Sequence, residues 1–323
     1  MKRLSVLGRF LATADEHDML PRGARVLVAV SGGADSTCLL ALLRKAAPRR
    51  RLELRGFHMN HRLRPEARDD ERFVRRLFDE AGIELAVVRS DVAGYARRHR
   101  VGLEQAGREL RYRNAARCAR RNGCTRVAFG HTADDNLETM LLNLARGTGP
   151  RGLAGIPPRR EAIVRPLIDL ERCDVLRYLQ AAGLDWVTDN SNSDTRFRRN
   201  LVRHEAASAL RETNPAAAVN ARRAARLLRD EDRYLDSLAA ELVRRAVSGA
   251  GRGRHRAMLI DTEILDTYNG VLKRRALRQL VPSLDAEGVE RVLVFITAGS
   301  GRLELGKGLQ LRKRRNLVEL TVV

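Results

Sequence analysis

Two short polar clusters in this chain combine residue types and spacings that do chemistry. Ser31-Gly32-Gly33-Ala34-Asp35-Ser36 follows the apolar run Arg25 to Val30 and precedes a helical pattern from Ser36 to Leu43. A glycine turn that opens a helix offers backbone N–H groups and the positive end of the helix dipole to an anion. The Walker A loop needs a lysine after its last glycine. Here that lysine is absent, and Asp35 follows Gly33-Ala34 instead. A carboxylate beside a phosphate cradle implies a metal ion between the two. The same stretch also suits an ordinary strand–turn–helix joint with Asp35 as a cap, and alone it does not separate these readings. The second cluster is His131, Asp134, Asp135 and Glu138, at the start of a helix. Asp135 and Glu138 are spaced to share a face. Acidic residues in a first turn suit the dipole, yet four ionisable groups there exceed what capping requires. A second carboxylate near the phosphate loop completes a Mg²⁺ site of the usual kind, one or two carboxylates plus phosphate oxygens.

The elements that must position these clusters alternate. The pattern predicts strands over Leu52 to Met59, Glu84 to Arg89 and Thr125 to Phe129, and helices over Glu66 to Ala81, Leu103 to Arg121 and Ala133 to Leu144. Such alternation predicts an α/β fold, a doubly wound, mainly parallel sheet with helices on both faces. Ligands bind at the carboxyl ends of such strands. Ser31 to Ser36, His58 to His61 and Gly130 to Glu138 all fall there. A glycine-rich connector, Gly147 to Gly152, leads to a helix over Glu171 to Ala182. A polar loop from Asp189 to Asp194 precedes Arg196, Arg198 and Arg199. Ala206 to Val247 reads as largely helical and Gly249 to Arg256 as a basic linker. Last comes a small α/β module, with helices near Tyr268 to Leu280 and Ala286 to Ala298 and strands around Leu303, Leu309 to Leu311 and Leu317 to Val322. The expected division is 1–210 for a catalytic, nucleotide-binding domain and 211–323 for a basic helical linker and small C-terminal domain that binds RNA.

The chain of 323 residues carries 61 Lys and Arg against 40 Asp and Glu, a formal charge of +21. Exchanging Lys for Arg leaves net charge unchanged, so arginine bias does not produce this excess. It points to a polyanionic partner, nucleic acid, against the alternative of a generic basic surface. Arg222, Arg223, Arg226 and Arg229 follow helical spacing and suit either an RNA backbone or a solvated face, with RNA preferred. Aromatic residues make up only 4%, which argues against base recognition by extensive stacking. Trp186 reads as core. No run is long and apolar enough for a signal peptide or a membrane span. The four cysteines form no C-x-x-C pair and read as core or semi-buried thiols of a cytoplasmic protein.

Ser-Gly-Gly-x-Asp-Ser after a first strand resembles the pyrophosphate loop of the ATP pyrophosphatases. Further motifs narrow the match: His131-x-x-Asp134-Asp135-x-x-Glu138-Thr139, Arg146-Gly147-Thr148-Gly149, Arg165-Pro166-Leu167, Asp189-x-Ser191-Asn192 and Arg199-Asn200-x-x-Arg203. In this order they resemble the tRNA(Ile)-lysidine synthetase family, strongly over Arg25 to Arg203. The resemblance implies ATP and Mg²⁺ as cofactors, and free L-lysine and an isoleucine tRNA with a CAU anticodon as partners. ATP adenylates the C2 carbonyl of the wobble cytidine, and the lysine ε-amine displaces AMP to give lysidine. It also implies that Ser31, Gly32, Gly33 and Ser36 cradle pyrophosphate and that Asp35 and Asp135 work with Mg²⁺. By the same resemblance His131 lies near the α-phosphate and Glu138 holds or deprotonates the lysine ammonium. Arg111 contacts phosphate or the adenylate, and Arg203 contacts substrate or supports the site. His58-x-Asn60-His61 falls where adenine would lie. Many family members carry a further C-terminal domain, so this chain reads as a short form; its oligomeric state stays open, a homodimer included. Rival readings are a tRNA thiolase, which needs a cysteine pair or cluster, a small-molecule ligase, which works without RNA, and a non-catalytic RNA-binding protein, which fails to bind ATP.

Overall fold

The structure, a computed structural model, describes residues 4–63, 66–188, 198–249, 256–306 and 308–322. The chain divides into two compact units, residues 1–226 and 227–323. The first holds α1 (Val6–Glu16), β1 (Arg25–Ala29), α2 (Ala34–Arg50), β2 (Glu53–Asn60), α3 (Ala67–Ala81), β3 (Leu85–Arg89), α4 (Val92–His99) and α5 (Leu103–Arg121). It continues through β4 (Arg126–Ala128), α6 (Ala133–Leu144), α7 (Pro150–Leu153), β5 (Arg159–Arg160), β6 (Ile163–Val164) and α8 (Arg172–Ala181). After the polar loop come α9 (Arg198–Leu201), a π-helical turn (Val202–Ala206), α10 (Ala207–Thr213) and the first turns of α11 (Ala217–Ala246). The polar residues Asp189, Ser191 and Asn192 lie outside the described residues, as does most of the Gly249 to Arg256 linker.

Six strands form one sheet in the order β3-β2-β1-β4-β6-β5, parallel except for the β5–β6 pair. Strand β1 lies centrally because both of its faces are apolar. Val26, Val28 and Val30 pack with the α2 side chains Leu39, Leu42 and Leu43, while Leu27 and Ala29 join Phe57, Ala106 and Leu110 in a separate core. A strand that alternates between two cores needs helices above and below it. The chain passes from β1 to β2 on one side and returns from β3 to β4 on the other. The gap between the ends of β1 and β4 is therefore the switch point at which such sheets bind ligands.

Two glycines fix how closely the pieces approach. A Cβ on Gly130, just after β4, would stand 3.0 Å from the Asp35 carbonyl carbon and oxygen, so the β4 loop rests directly on the first turn of α2. A Cβ on Gly56 of β2 would lie 2.5 Å from the Phe78 ring of α3. Apolar packing of Ala133 and Leu137 of α6 against Ala207 and Ala218 seats the start of α10 and α11 on α6. Two ion pairs within the unit hold α11 as well: Arg222 with Asp169 at 3.2 Å and Arg226 with Glu16 at 3.1 Å. Arg222 and Arg226 of the helical arginine stripe are thus engaged internally.

The second unit contains an antiparallel sheet of five strands, β7 (Val247–Ser248), β8 (Arg256–Asp261), β11 (Leu317–Val322), β10 (Leu309–Arg314) and β9 (Gly301–Leu305), in that order. Ile260, Leu311, Val318 and Leu320 on one face pack with Leu277 and Ala276 of α13 (Gly270–Leu280) and Val292 of α14 (Ala286–Ala298). Between β8 and α13 lies the short α12 (Thr262–Asp266), capped by Asp261. No helix among the described residues is long and apolar enough to cross a membrane. All four cysteines are free; Cys38 and Cys118 are buried, Cys124 is half-buried, and Cys173 is exposed. Gly56→Ala is expected to cost about 1–3 kcal/mol of stability through overpacking against Phe78. Urea unfolding with an unchanged midpoint would contradict this packing.

Candidate active site

The carboxyl ends of β1, β2 and β4 open into a cleft of about 720 Å³. Its floor at β1 is the glycine loop. Gly32 adopts φ +97°, which L side chains rarely adopt, and this turns the chain sharply into α2. Ser36 Oγ stabilises the turn by donating to the Gly33 carbonyl at 2.9 Å and accepting from the Ser31 N–H at 3.1 Å. Gly33 is the N-cap of α2 and supplies no side-chain cap. The first N–H groups of α2 therefore stay available to an anion at the positive end of the dipole.

Asp35 stands in that first turn. Its Oδ2 accepts from Arg172 Nη1 at 3.0 Å, while Oδ1 is buried without a partner among the described residues. Burial raises its pKa to about 7, the Asp135 charge adds to the rise, and Arg172 opposes it. Arg172 opens α8, and its backbone N–H donates to Asp134 Oδ2 at 2.7 Å. A lone buried carboxylate oxygen beside another carboxylate fits a divalent cation as its partner. Among the described residues, the one His/Cys/Asp/Glu group close enough to share an ion is Glu171–Cys173–Asp174. Asp174 there is already paired with Arg9 and Arg177 and completes a helix cap.

On the opposite side, Thr132 caps α6. Its N–H donates to Asp135 Oδ2 at 2.9 Å, and its hydroxyl accepts from the Asp135 N–H, a capping box. Asp135 Oδ1 faces the other way and accepts from Arg199 Nη2 at 2.7 Å. One turn later Glu138 is 1% exposed. Arg203 Nε donates to its Oε1, and Arg199 Nε donates to its Oε2 at 3.0 Å. Burial pushes the Asp135 carboxyl up, but the Arg199 guanidinium, His131 and the Thr132 N–H outweigh it and hold the pKa below the ordinary value. Burial lowers the pKa of His131, whose Nδ1 has no partner among the described residues. Neutral His131 and charged Asp135 therefore lie side by side near neutral pH.

The expected residues converge. Ser31, Gly33, Asp35, Ser36, Arg111, His131, Asp135 and Arg203 all line the cleft. Gly32 shapes the loop from behind, and Glu138 lies beneath the arginines rather than on the cleft wall. The expected set missed Arg172 and Arg199. Arg199 stood in a recognisable motif beside Arg203, whereas a helix-opening arginine such as Arg172 carries no signal in the sequence. Trp186 packs against the core as expected, and it also lines the cleft. Arg165 is buried, and its guanidinium donates to the Pro157 carbonyl at 2.7 Å, so it braces the β6 end.

Residues 9–210 match the PP-loop domain family. A tRNA(Ile)-lysidine synthase of Geobacter sulfurreducens is 36% identical over 98% of this chain and 70% of its own length. One of Symbiobacterium thermophilum is 38% identical over 95% of this chain and 67% of its own length. One of Porphyromonas gingivalis is 43% identical over 66% of this chain, which spans 47% of that protein. The chain thus spans between about half and two thirds of the length of these curated relatives. Among solved structures, the U34-tRNA thiolase NcsA from Methanococcus maripaludis, with its [4Fe-4S] cluster, matches with a TM-score of 0.58 at 19% identity, covering 69% of this chain and 78% of that one. That likeness concerns the fold.

Two outcomes follow from the geometry. Glu138→Ala strands two guanidiniums and is expected to cost about 3–5 kcal/mol by urea unfolding, since breaking a buried pair leaves uncompensated charge. A loss no larger than that of a surface pair, about 0–1 kcal/mol, would contradict the burial. The folded pKa of Asp35 lies above its ordinary 3.8. Its contribution is fully present below that value and is lost as pH rises through about 7. Asp35→Asn is therefore expected to stabilise the ligand-free protein at pH ~8 by about 1 kcal/mol and to change little at pH ~4. Equal effects at both pH values would contradict the raised pKa.

Proposed function

The chain belongs to the tRNA(Ile)-lysidine synthase family of PP-loop proteins, and from that premise we propose that it is an ATP-dependent ligase that forms lysidine. It adenylates the C2 carbonyl oxygen of the wobble cytidine of an isoleucine tRNA with a CAU anticodon. The ε-amine of free L-lysine then displaces AMP. The observation that carries this reading is the bare Asp35 Oδ1 beside the uncapped start of α2. That pair is built for a polyphosphate and its counter-ion.

The residues divide the work. The N–H groups from Gly32 to Ser36 hold the β,γ-pyrophosphate and stabilise its growing charge as it leaves. Asp35, with Asp135 nearby, would hold a Mg²⁺ ion, which would supply charge neutralisation for the polyphosphate. Among the described residues Arg111 has no hydrogen-bond or ion-pair partner, and it lines the cleft, which supports an α-phosphate or adenylate contact. In the second step C2 gains a C–N bond to lysine and loses its C–O bond to AMP, and the amine sheds protons. Both oxygens of Glu138 are taken up by Arg199 and Arg203. Neutral His131, with Nδ1 unpaired among the described residues, lies in the same cleft and meets the amine as a hydrogen-bond partner, since burial makes it a weak base. Glu138 and Asp135 hold the arginines at the entry of the reacting groups. The net charge of +21 supplies affinity for the RNA backbone.

The thiolase alternative finds no support in cysteine placement. Cys124 precedes β4, at the end of the sheet away from the cleft, and Cys38 is buried within α2.

Incubation with ATP, Mg²⁺, radiolabelled lysine and unmodified isoleucine tRNA bearing CAU should place label in the RNA. Label should depend on ATP and on that tRNA, with AMP released. Asp35→Ala and His131→Ala should each lower turnover by on the order of a hundred-fold or more, with RNA binding kept. Absence of label from a folded protein that binds ATP would refute lysine as the nucleophile or this tRNA as the acceptor.

A further inference from the structure

The cleft is divided in character. The wall towards β4 and α8 carries Asp35, Asp135, Arg172, Arg199 and Arg203, whereas the wall towards β2 carries Phe57, Met59, Leu63 and Leu103. Leu63 and Leu103 are large apolar side chains left exposed at its rim. A nucleotide anchored by its phosphates at the β1 loop places its flat apolar part against this second wall.

Polar groups stand among these side chains, namely Asn60, His61, Asp70 and His58, and of them His58 has a buried ring nitrogen with no partner among the described residues. His58, on β2, is 3% exposed, lines the cleft, and has its Nδ1 at 2.8 Å from the Val30 carbonyl oxygen. A carbonyl only accepts, so Nδ1 carries the hydrogen and donates. Nε2 of the neutral ring is then a bare acceptor, and it is buried with no partner among the described residues. Burial lowers the His58 pKa, which keeps the ring neutral despite Glu71 and Asp70 nearby. A buried acceptor without a donor is costly unless a ligand supplies one. On the phosphate side, Ser36 and the loop N–H groups are donors, so the requirement for a donor is specific to the base end.

We infer that His58 selects the nucleotide base: its Nε2 accepts a hydrogen bond from the exocyclic amine of adenine and so favours ATP over nucleotides with a carbonyl oxygen at that position. The inference rests on the assignment of this cleft to ATP. It adds a residue that contacts the base rather than the reacting atoms, and its role is specificity.

Calorimetric binding to the full-length chain tests it, with ATP, purine riboside triphosphate (no amine) and inosine triphosphate (a carbonyl). Loss of the amine should weaken binding about ten-fold, and the carbonyl, an acceptor facing an acceptor, about a hundred-fold. In His58→Phe, ATP should bind as weakly as the purine analogue, closing the gap between them. Equal wild-type affinity for ATP and the purine analogue would overturn the inference, even if the variant fails to fold. So would a folded His58→Phe that keeps the gap. Adding 2′-deoxy- and 3′-deoxy-ATP separates the amine from a ribose hydroxyl as donor. A deoxy penalty that vanishes in His58→Phe, with no amine penalty, would assign Nε2 to the sugar and overturn base selection. Complete absence of ATP binding would overturn the ATP assignment itself, and base selection with it.

Discussion

Two carboxylates buried in the first turns of one helix need cations from elsewhere in the chain, and the architecture of the cleft follows from that requirement. Asp135 and Glu138 of α6 meet Arg199 and Arg203 from the segment after the polar loop. Removing four charges from water is expensive, and only dense mutual hydrogen bonding offsets it. The cluster supplies that bonding, since each guanidinium reaches at least one carboxylate and Glu138 is bound on both oxygens. Apolar contacts of Ala207 and Ala218 with Ala133 and Leu137 reinforce the same junction. The helix that carries the carboxylates is itself fixed to the phosphate loop, because Gly130 lets the β4 loop rest on the Asp35 backbone. The anion cradle, the neutral His131 and the arginine pair are thus parts of one frame.

That frame sorts charge. Donors and cations gather where a polyphosphate and a developing anion would lie, while the β2 wall mixes Phe57, Met59 and Leu63 with His58, Asn60 and His61. His131 and Asp35 show how burial works in opposite directions on the two kinds of group. It lowers the imidazole, which stays neutral and becomes a weaker base, and it raises the carboxyl, which then needs a cation to remain ionised near neutral pH. Arg172 meets part of that need through Oδ2 and leaves Oδ1 for a second positive partner.

The sequence exposes these features unevenly. The strand–glycine–helix joint at Arg25 to Leu43 and the helix at Ala133 are visible because local chemistry dictates them: β-branched residues end in glycines, and a capping threonine precedes acidic residues. Short-range rules also fix which residues share a face, as with Asp135 and Glu138. Long-range partners are invisible by the same rules. Nothing local pairs Arg172 with Asp35, 137 residues away, or assigns Arg222 and Arg226 to Asp169 and Glu16 rather than to RNA. Helix α4 escapes notice because its signal is a single Asp91 cap on Gly94. The β8 strand follows directly on the glycine- and arginine-rich run that reads as linker, so its apolar residues Met258, Leu259 and Ile260 lose their context. The bare nitrogen of His58 is a property of tertiary placement, since it depends on the Val30 carbonyl of a neighbouring strand.

The most direct test of the two-step account uses ATP labelled at the α-phosphate, with Mg²⁺ and the isoleucine tRNA, and omits lysine. The account predicts label retained on the RNA as a covalent adenylate and released as AMP when lysine is added. Label that appears on lysine instead, and forms without RNA, would contradict it by showing that the amino acid is the group activated in this cleft.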